Sequence, residues 1–328
     1  MSGYPEFSDL PLRKGDAPMS AWGLWGIDDE LGTLNHLTPE VVQNAVSEAS
    51  AGLRFSLNWS LELPTTPGFG RGVHQFHHQI HQAPNALVLD DSLHDFNTQK
   101  SSQWDGQRHF AYQKEKLFYN GTTLEEILSA NSGALGIQNW SKVGGIAGRG
   151  VLLDYQSWAE ENARNTDMST STPILFDDLM ACYKAQQNKS TKPLELRKGD
   201  ILLVRSGFTK SYNSMSRAAE EAMGQASPTR AAGVHQDKRL LEWLWSNQVA
   251  AVGGDAQAWE CLPSDPSSGF LFHEVLIAGW GCPIAELLWL EDLAEVCKRM
   301  GRWTFLLTSS PLNVFGGVAS PANMMAIM

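Results

Sequence analysis

Four short apolar runs, at residues 150–153, 201–204, 249–252 and 303–307, constrain this chain more than any other feature. A strand with one wet face alternates polar and apolar side chains, whereas a run that is apolar at nearly every position predicts a strand covered on both faces. Helical patterns lie among these runs at 176–187, 238–246 and 290–300. The last carries Glu291 and Asp292 early, Lys298 and Arg299 late and Gly301 after it, as the helix dipole and a C-terminal stop favour. Strands and helices alternating in this order predict an α/β fold with a mixed central sheet or barrel flanked by helices. A further helix is expected over 38–51, with Thr38 as cap, Pro39 in the first turn, a stripe of Val41, Val42, Ala45 and Val46, and Gly52 as its end. After it, Phe55, Leu57, Trp59 and Leu61 alternate with Ser56, Asn58, Ser60 and Glu62, the period of a half-buried strand.

No repeat of fixed period interrupts the 328 residues, so one domain over 1–328 is expected. The polar stretch 210–230, with Gly224 and Pro228, reads as a surface excursion or lid, because apolar patterns resume directly after it. With 42% apolar side chains a chain of this length buries a core without staples. A net charge of -11 argues against nucleic acid and anionic membrane surfaces as partners. Cys182, Cys261, Cys282 and Cys297 form no CxxC pair and read as reduced core thiols. The first 20 residues lack a signal-peptide stretch and no later run reaches membrane-spanning length, so a cytoplasmic location is expected.

GxSxG, GxxxxGK, GxGxxG and HExxH are all absent, which lowers the serine hydrolase, P-loop, dinucleotide and zincin readings. His74, His77, His78 and His81 crowd into eight residues. On a strand, however, they divide between two faces and have no carboxylate beside them, so a metal site there is disfavoured. Residues 97–109, NTQKSSQWDGQRH, are too polar for a core and read as a loop. Asp105 and His109 lie four apart within it, a spacing at which a carboxylate can orient an imidazole for acid/base work; the bland alternative is a hydrogen-bonded loop. His273 follows the flexible CLPSDPSSG. Glu286 interrupts the apolar PIAELLWL, where a carboxylate is costly unless paired or ligated, with Arg302 or Arg108 as structural partners if it has no other task.

These residues bring out a resemblance. The stretches WGLWGIDDELGTLNHLTPE, SSQWDGQRHF, GIAGRGVLLD, LRKGDILLVRSG, VAAVGGDAQAWE, FHEVLIAGWGCPIAELLWLEDLAE and GRWTFLLTSSPLNVFGGVASPAN keep the order found in the cyclase family of kynurenine formamidase and isatin hydrolase, especially its longer fungal-type members. The family motif HxGTHxDxPxHF falls on QKSSQWDGQRHF. The resemblance then places Gln99 and Gln103 where two metal-binding histidines belong, and Asp105 and His109 on the motif aspartate and acid/base histidine. It also places the remaining metal ligands on His273 and Glu286. An amide oxygen is a weak ligand for zinc, so two glutamines should remove one site of a dinuclear centre. What the resemblance leaves is one divalent metal, zinc or manganese, on Asp105, His273 and Glu286, or no metal and an acid/base cluster.

On this resemblance the leading expectation is a hydrolase of an amide, lactam or lactone on an aromatic or polyketide-like small molecule. His109 would act as base and then acid, Asp105 beside it, with Gln99, Gln103 or a metal holding the oxyanion and Trp104 and Trp280 lining the substrate. The alternatives are a metal-independent cyclase, isomerase or lyase of secondary metabolism using the same pocket, and a non-catalytic small-molecule binder, for which a matched Asp105/His109 pair would be superfluous. The resemblance further implies a homodimer or larger assembly, in which the segment 1–37 with Trp22 and Trp25 reaches a neighbour.

Overall fold

The computed structural model describes residues 3–71 and 76–328. Thirteen strands are present among them: β1 (Arg54–Ser56), β2 (His77–Gln82), β3 (Leu89–His94), β4 (Gln103–Asp105), β5 (Ile146–Leu153), β6 (Pro173–Ile174), β7 (Ile201–Val204), β8 (Gly233–Val234), β9 (Ala251–Gly254), β10 (Ile284–Glu286), β11 (Thr304–Ser309), β12 (Ala319–Pro321) and β13 (Met324–Ile327). Nine of them make one mixed sheet in the order β1-β13-β11-β5-β7-β9-β10-β4-β12, curled into a half-barrel whose two ends do not meet. The four apolar runs of the sequence all fall in β5, β7, β9 and β11, at the middle of this order, where both faces are covered. β5, β7, β9 and β10 run parallel to one another, and β4 then joins β10 antiparallel.

Helices form at Phe176–Lys189, Lys238–Ser246 and Glu291–Met300, close to the expected spans. The early helix is shorter than its apolar stripe predicts. It runs Pro39–Val46 behind the Thr38 cap and packs on β5. The chain leaves it because Glu48 is drawn into the core, where its carboxylate accepts from Arg302 and Thr304 at 2.9 Å each. The alternating segment after it keeps its burial pattern, with Leu57 and Trp59 inside, but only Arg54–Ser56 pairs as a strand. Residues 210–230 lie beside residues 65 and 66 and are mostly at the surface, with Tyr212 buried in the core; the helix Arg217–Gly224 within them buries no residue.

The N-terminal segment folds onto its own chain. Trp22 is buried and donates its indole N–H to the Ala278 carbonyl, and the half-buried Trp25 packs edge-on against His36. Gly32 makes this docking close: its φ is +58° and a side chain there would run into the backbone of Trp280 and Gly281. All four cysteines are buried and free. Among the described residues no helix is long and apolar enough to cross a membrane.

Candidate active site

Strand pairing builds the floor of the site. β4 and β10 lie antiparallel with Gln103 opposite Glu286 and Asp105 opposite Ile284. Alternate side chains of a strand share a face, so Gln103, Asp105 and Glu286 point to one side of the sheet and Trp104 to the other. This corrects the expectation for Trp104. Its ring is fully buried and donates to Ser309 Oγ on β11, a core position away from the cavity. Trp280 is likewise core: its N–H binds the Met19 carbonyl and its ring packs against Trp245 and Phe7.

The turn after β4, closed by His109 N–H to the Gly106 carbonyl, brings His109 back over Asp105. His273 opens the π-helical segment Glu274–Gly279 and points its Nε2 at Glu286 Oε1 (3.2 Å) and Asp105 Oδ2 (3.8 Å). Gln99, Gln103, Asp105, His109, His273 and Glu286 are therefore one cluster. The two glutamines link it. The Gln99 amide nitrogen donates to Asp105 Oδ1 (2.7 Å) and His109 Nδ1 (2.8 Å), and that of Gln103 to Asp105 Oδ1 (3.2 Å) and Glu286 Oε2 (2.8 Å). Each NH₂ has two hydrogens and both are used; the reverse orientation would set an amide oxygen against a carboxylate. The direct Asp105–His109 contact is only 3.5 Å, so Asp105 orients the ring through Gln99. With their donors engaged, Gln99 and Gln103 are not free to hold an oxyanion, which corrects that expectation.

Electrostatics separate the titratable groups. Burial by itself would push the Asp105 carboxyl up, but its interactions with His109, His273 and Arg71 outweigh it and hold Asp105 below the usual carboxylate range. Burial, then the adjacent Asp105 charge, push Glu286 up against the pull of His273 and Arg71. Two neighbouring carboxyls driven in opposite directions are the arrangement from which acid and base roles arise. Burial also takes His109 down to about 4, although Asp105 resists, so its imidazole is neutral at pH 7. His273 goes the other way: Asp105, Glu260 and Glu286 overcome the burial penalty and raise it well above the ordinary value.

The cluster opens on a cavity of about 410 Å³. Phe69, Phe110, Ala258, Leu262 and Leu271 supply its apolar lining, and Arg71, His109, Glu260, His273 and Glu286 its polar lining. Two polar members were not anticipated from the sequence. Arg71, 3.9 Å from Glu286, lies over Phe69 and donates to the Gln99 carbonyl; nothing in GFGRG announces it. Glu260 stands between Trp259 and Cys261, and the cost of burying a carboxylate that singled out Glu286 applies to it equally. Neither arginine considered as a partner of Glu286 reaches it, since Arg302 pairs with Glu48 and Arg108 binds carbonyls at Ser132, Ala134 and Gly316.

The donors of this cluster decide what cation it can hold. Asp105, His109 and His273 can each offer one ligand atom, all within 4.8 Å of one another, and Asp105 Oδ2 is buried without a hydrogen-bond partner. One cation fits there. Glu286, expected as third ligand, is instead engaged by His273 and Gln103, and His109 takes its place in the compact set. A second cation does not fit, because the amide NH₂ groups lie against the carboxylate oxygens that would ligate it. Of the histidine-rich segment, His77, His78 and His81 sit on the exposed β2–β3 hairpin, with His78 bound to Asp91 and His81 to Ser92; His74 lies outside the described residues.

Residues 38–261, more than half of the chain, match the family model described as "Putative cyclase". The chain belongs to this cyclase family. The cyclase fold is also similar to a crystal structure titled as a novel cyclase, with a TM-score of 0.78 and 27% identity over 94% of this chain and 99% of that one. Isatin hydrolase A of Labrenzia aggregata, bound to benzyl benzoate, shares the fold at a TM-score of 0.54 and 14% identity, over 87% of this chain and 97% of that one. The Ralstonia solanacearum isatin hydrolase A does so at 0.53 and 14%, over 88% and 97%. No curated protein matches the sequence.

Proposed function

We propose that this cyclase-family chain is a hydrolase that adds water to the carbonyl of an amide, lactam or lactone carried on an apolar, aromatic-sized body. The observation that carries the reading is a neutral His109 at the mouth of an apolar cavity, beside an ionised Asp105 and a protonated His273. The apolar lining would take the body of the substrate and leave its carbonyl facing the polar lining. The Gln99 amide on Nδ1 leaves the proton of neutral His109 on Nε2, so the ring takes the proton of the attacking water at Nδ1, in exchange for the Gln99 bond. Positive charge from Arg71 and His273 favours the developing oxyanion. The proton then passes from His109 to the departing nitrogen or oxygen, and Gln99 keeps the ring in place between steps. A divalent cation held by Asp105, His109 and His273 would supply a Lewis acid and acidify a bound water, in place of the proton transfer by His109 and the charge of His273.

From a panel of substrates, ring-opened products one water heavier than the lactams and aryl lactones, and amine plus formate from the aryl formamides, are the expected result. His109→Ala should then lower kcat by ~10²-fold or more, because the proton carrier is gone. A second reading has its own support: the Gln103 amide already bridges Asp105 and Glu286, so the cluster closes without a metal, as a cyclase, isomerase or lyase that only moves protons would allow. A product of unchanged mass would select it over hydrolysis.

A further inference from the structure

We infer that Glu260 is a positioning residue that locks the His273 ring with Nδ1 protonated and held on its carboxylate, leaving Nε2 as the only His273 nitrogen that faces Asp105 and Glu286. The inference rests on reading this cluster as the active site and adds a residue no motif marks. Glu260 is buried and its carboxylate receives four hydrogen bonds. Oε1 accepts from the His273 backbone N–H (2.9 Å) and meets His273 Nδ1 at 2.6 Å; Oε2 accepts from the Phe272 backbone N–H (2.9 Å) and the Gln236 amide nitrogen (2.6 Å).

The proton follows from counting donors. Two of the four partners are backbone N–H groups and can only donate. The Gln236 nitrogen also donates, its second contact being the Cys261 carbonyl. A neutral carboxyl could satisfy these contacts only by giving its own proton to His273 Nδ1; imidazole is the stronger base of the two and three other donors on the carboxylate favour its anion, so Glu260 is ionised and the fourth contact is Nδ1–H donating to it. The 2.6 Å length suits a charge-assisted bond. The ring cannot turn over without leaving a buried carboxylate short of its donor, a loss that costs more than a typical hydrogen bond contributes. The same two backbone bonds hold the start of the π-helical segment Glu274–Gly279, so one side chain fixes both where His273 sits and which nitrogen it shows. Close approach makes this possible: Gly233 on β8 has no room for a side chain against the Trp259–Glu260 backbone.

The test is nitrogen-15 NMR of the full chain with labelled histidines, which needs no substrate, so its failure is distinct from failure of the hydrolase reading. The His273 signals are assigned by their loss in His273→Gln. In wild type, Nδ1 should carry a slowly exchanging, far-downfield proton. Glu260→Asp, which keeps a carboxylate one methylene back, should retain an Nδ1 proton shifted upfield, and Glu260→Ala should lose that signal while circular dichroism reports a folded chain. A wild-type Nδ1 without a proton overturns the inference, as does a folded Glu260→Ala in which the signal is unchanged. If Glu260→Ala does not fold, the wild-type spectrum and Glu260→Asp decide: an aspartate variant indistinguishable from wild type also overturns it.

Discussion

At the scale of single residues the site is a set of compensations for burial. His109 is held neutral by burial, so it is competent as a base far below the ordinary histidine range. The sign is fixed by that role: the active form is unprotonated, and activity is lost as pH falls through the folded value of about 4. On the hydrolase reading, the limb of kcat/KM against pH that belongs to His109 should therefore lie near 4, apart from any limb that Glu286 adds at about 7; an acid limb at the ordinary histidine value that persists in Glu286→Gln would remove His109 from the role of base. The glutamines give a second prediction. Their NH₂ groups bridge Asp105 to His109 and to Glu286, doing for the carboxylates what a cation does elsewhere. The double change Gln99→His and Gln103→His removes both bridges and supplies two imidazoles beside Asp105, a ligand set suited to zinc. Calorimetric titration should show zinc binding tighter in the double variant than in wild type, by more than the ~10-fold that misplaced supporting groups can change. Equal affinity in the two proteins would mean that the amides do not stand in a ligand's place.

At the scale of elements, one strand pair and one strap position everything else. The β4–β10 register puts Gln103 opposite Glu286, and a slip of one residue would turn Asp105 into the core and Trp104 into the cavity. The N-terminal strap is held against the end of the π-helical segment by Trp22 at Ala278 and against the residues after it by the close approach of Gly32 to Gly281. Gly32→Ala combines a left-handed backbone with a clash against backbone that cannot swing aside, so a loss of about 1–3 kcal/mol is expected. Urea unfolding would record it as a lower midpoint with the slope retained, and an unchanged midpoint would mean the strap is not docked as described.

For the whole molecule, sheet order matters more than chain order. The family match ends at residue 261, yet β10, β11 and β13 lie between strands that come earlier in the chain. A chain cut after 261 would keep β5, β7 and β9 as neighbours, strand β1 without its partner β13, and β4 without β10 and β12. It should show no cooperative thermal transition, because the apolar faces of β5 and β9 lose their cover; a sharp transition with native-like circular dichroism would show that the first 261 residues fold alone.

The α/β alternation, the four central strands and the helices behind them were legible in the sequence, because a strand covered on both faces leaves an unbroken apolar run and a helix leaves its period and caps. So were Asp105, His109, His273 and Glu286 as costly or chemically able residues, since the price of burying charge is a property of the residue and its neighbours in the chain. Everything that depends on two distant segments meeting was decided by the tertiary structure. Adjacency suggested Trp104 and Trp280 as pocket walls, whereas the alternation of β4 turned Trp104 inward and the N-terminal strap enclosed Trp280. Arg71 and Glu260 became site residues only when turns far apart in the chain closed on one cavity. The two amides acquired their role from hydrogen-bond geometry across strands, which residue spacing does not encode.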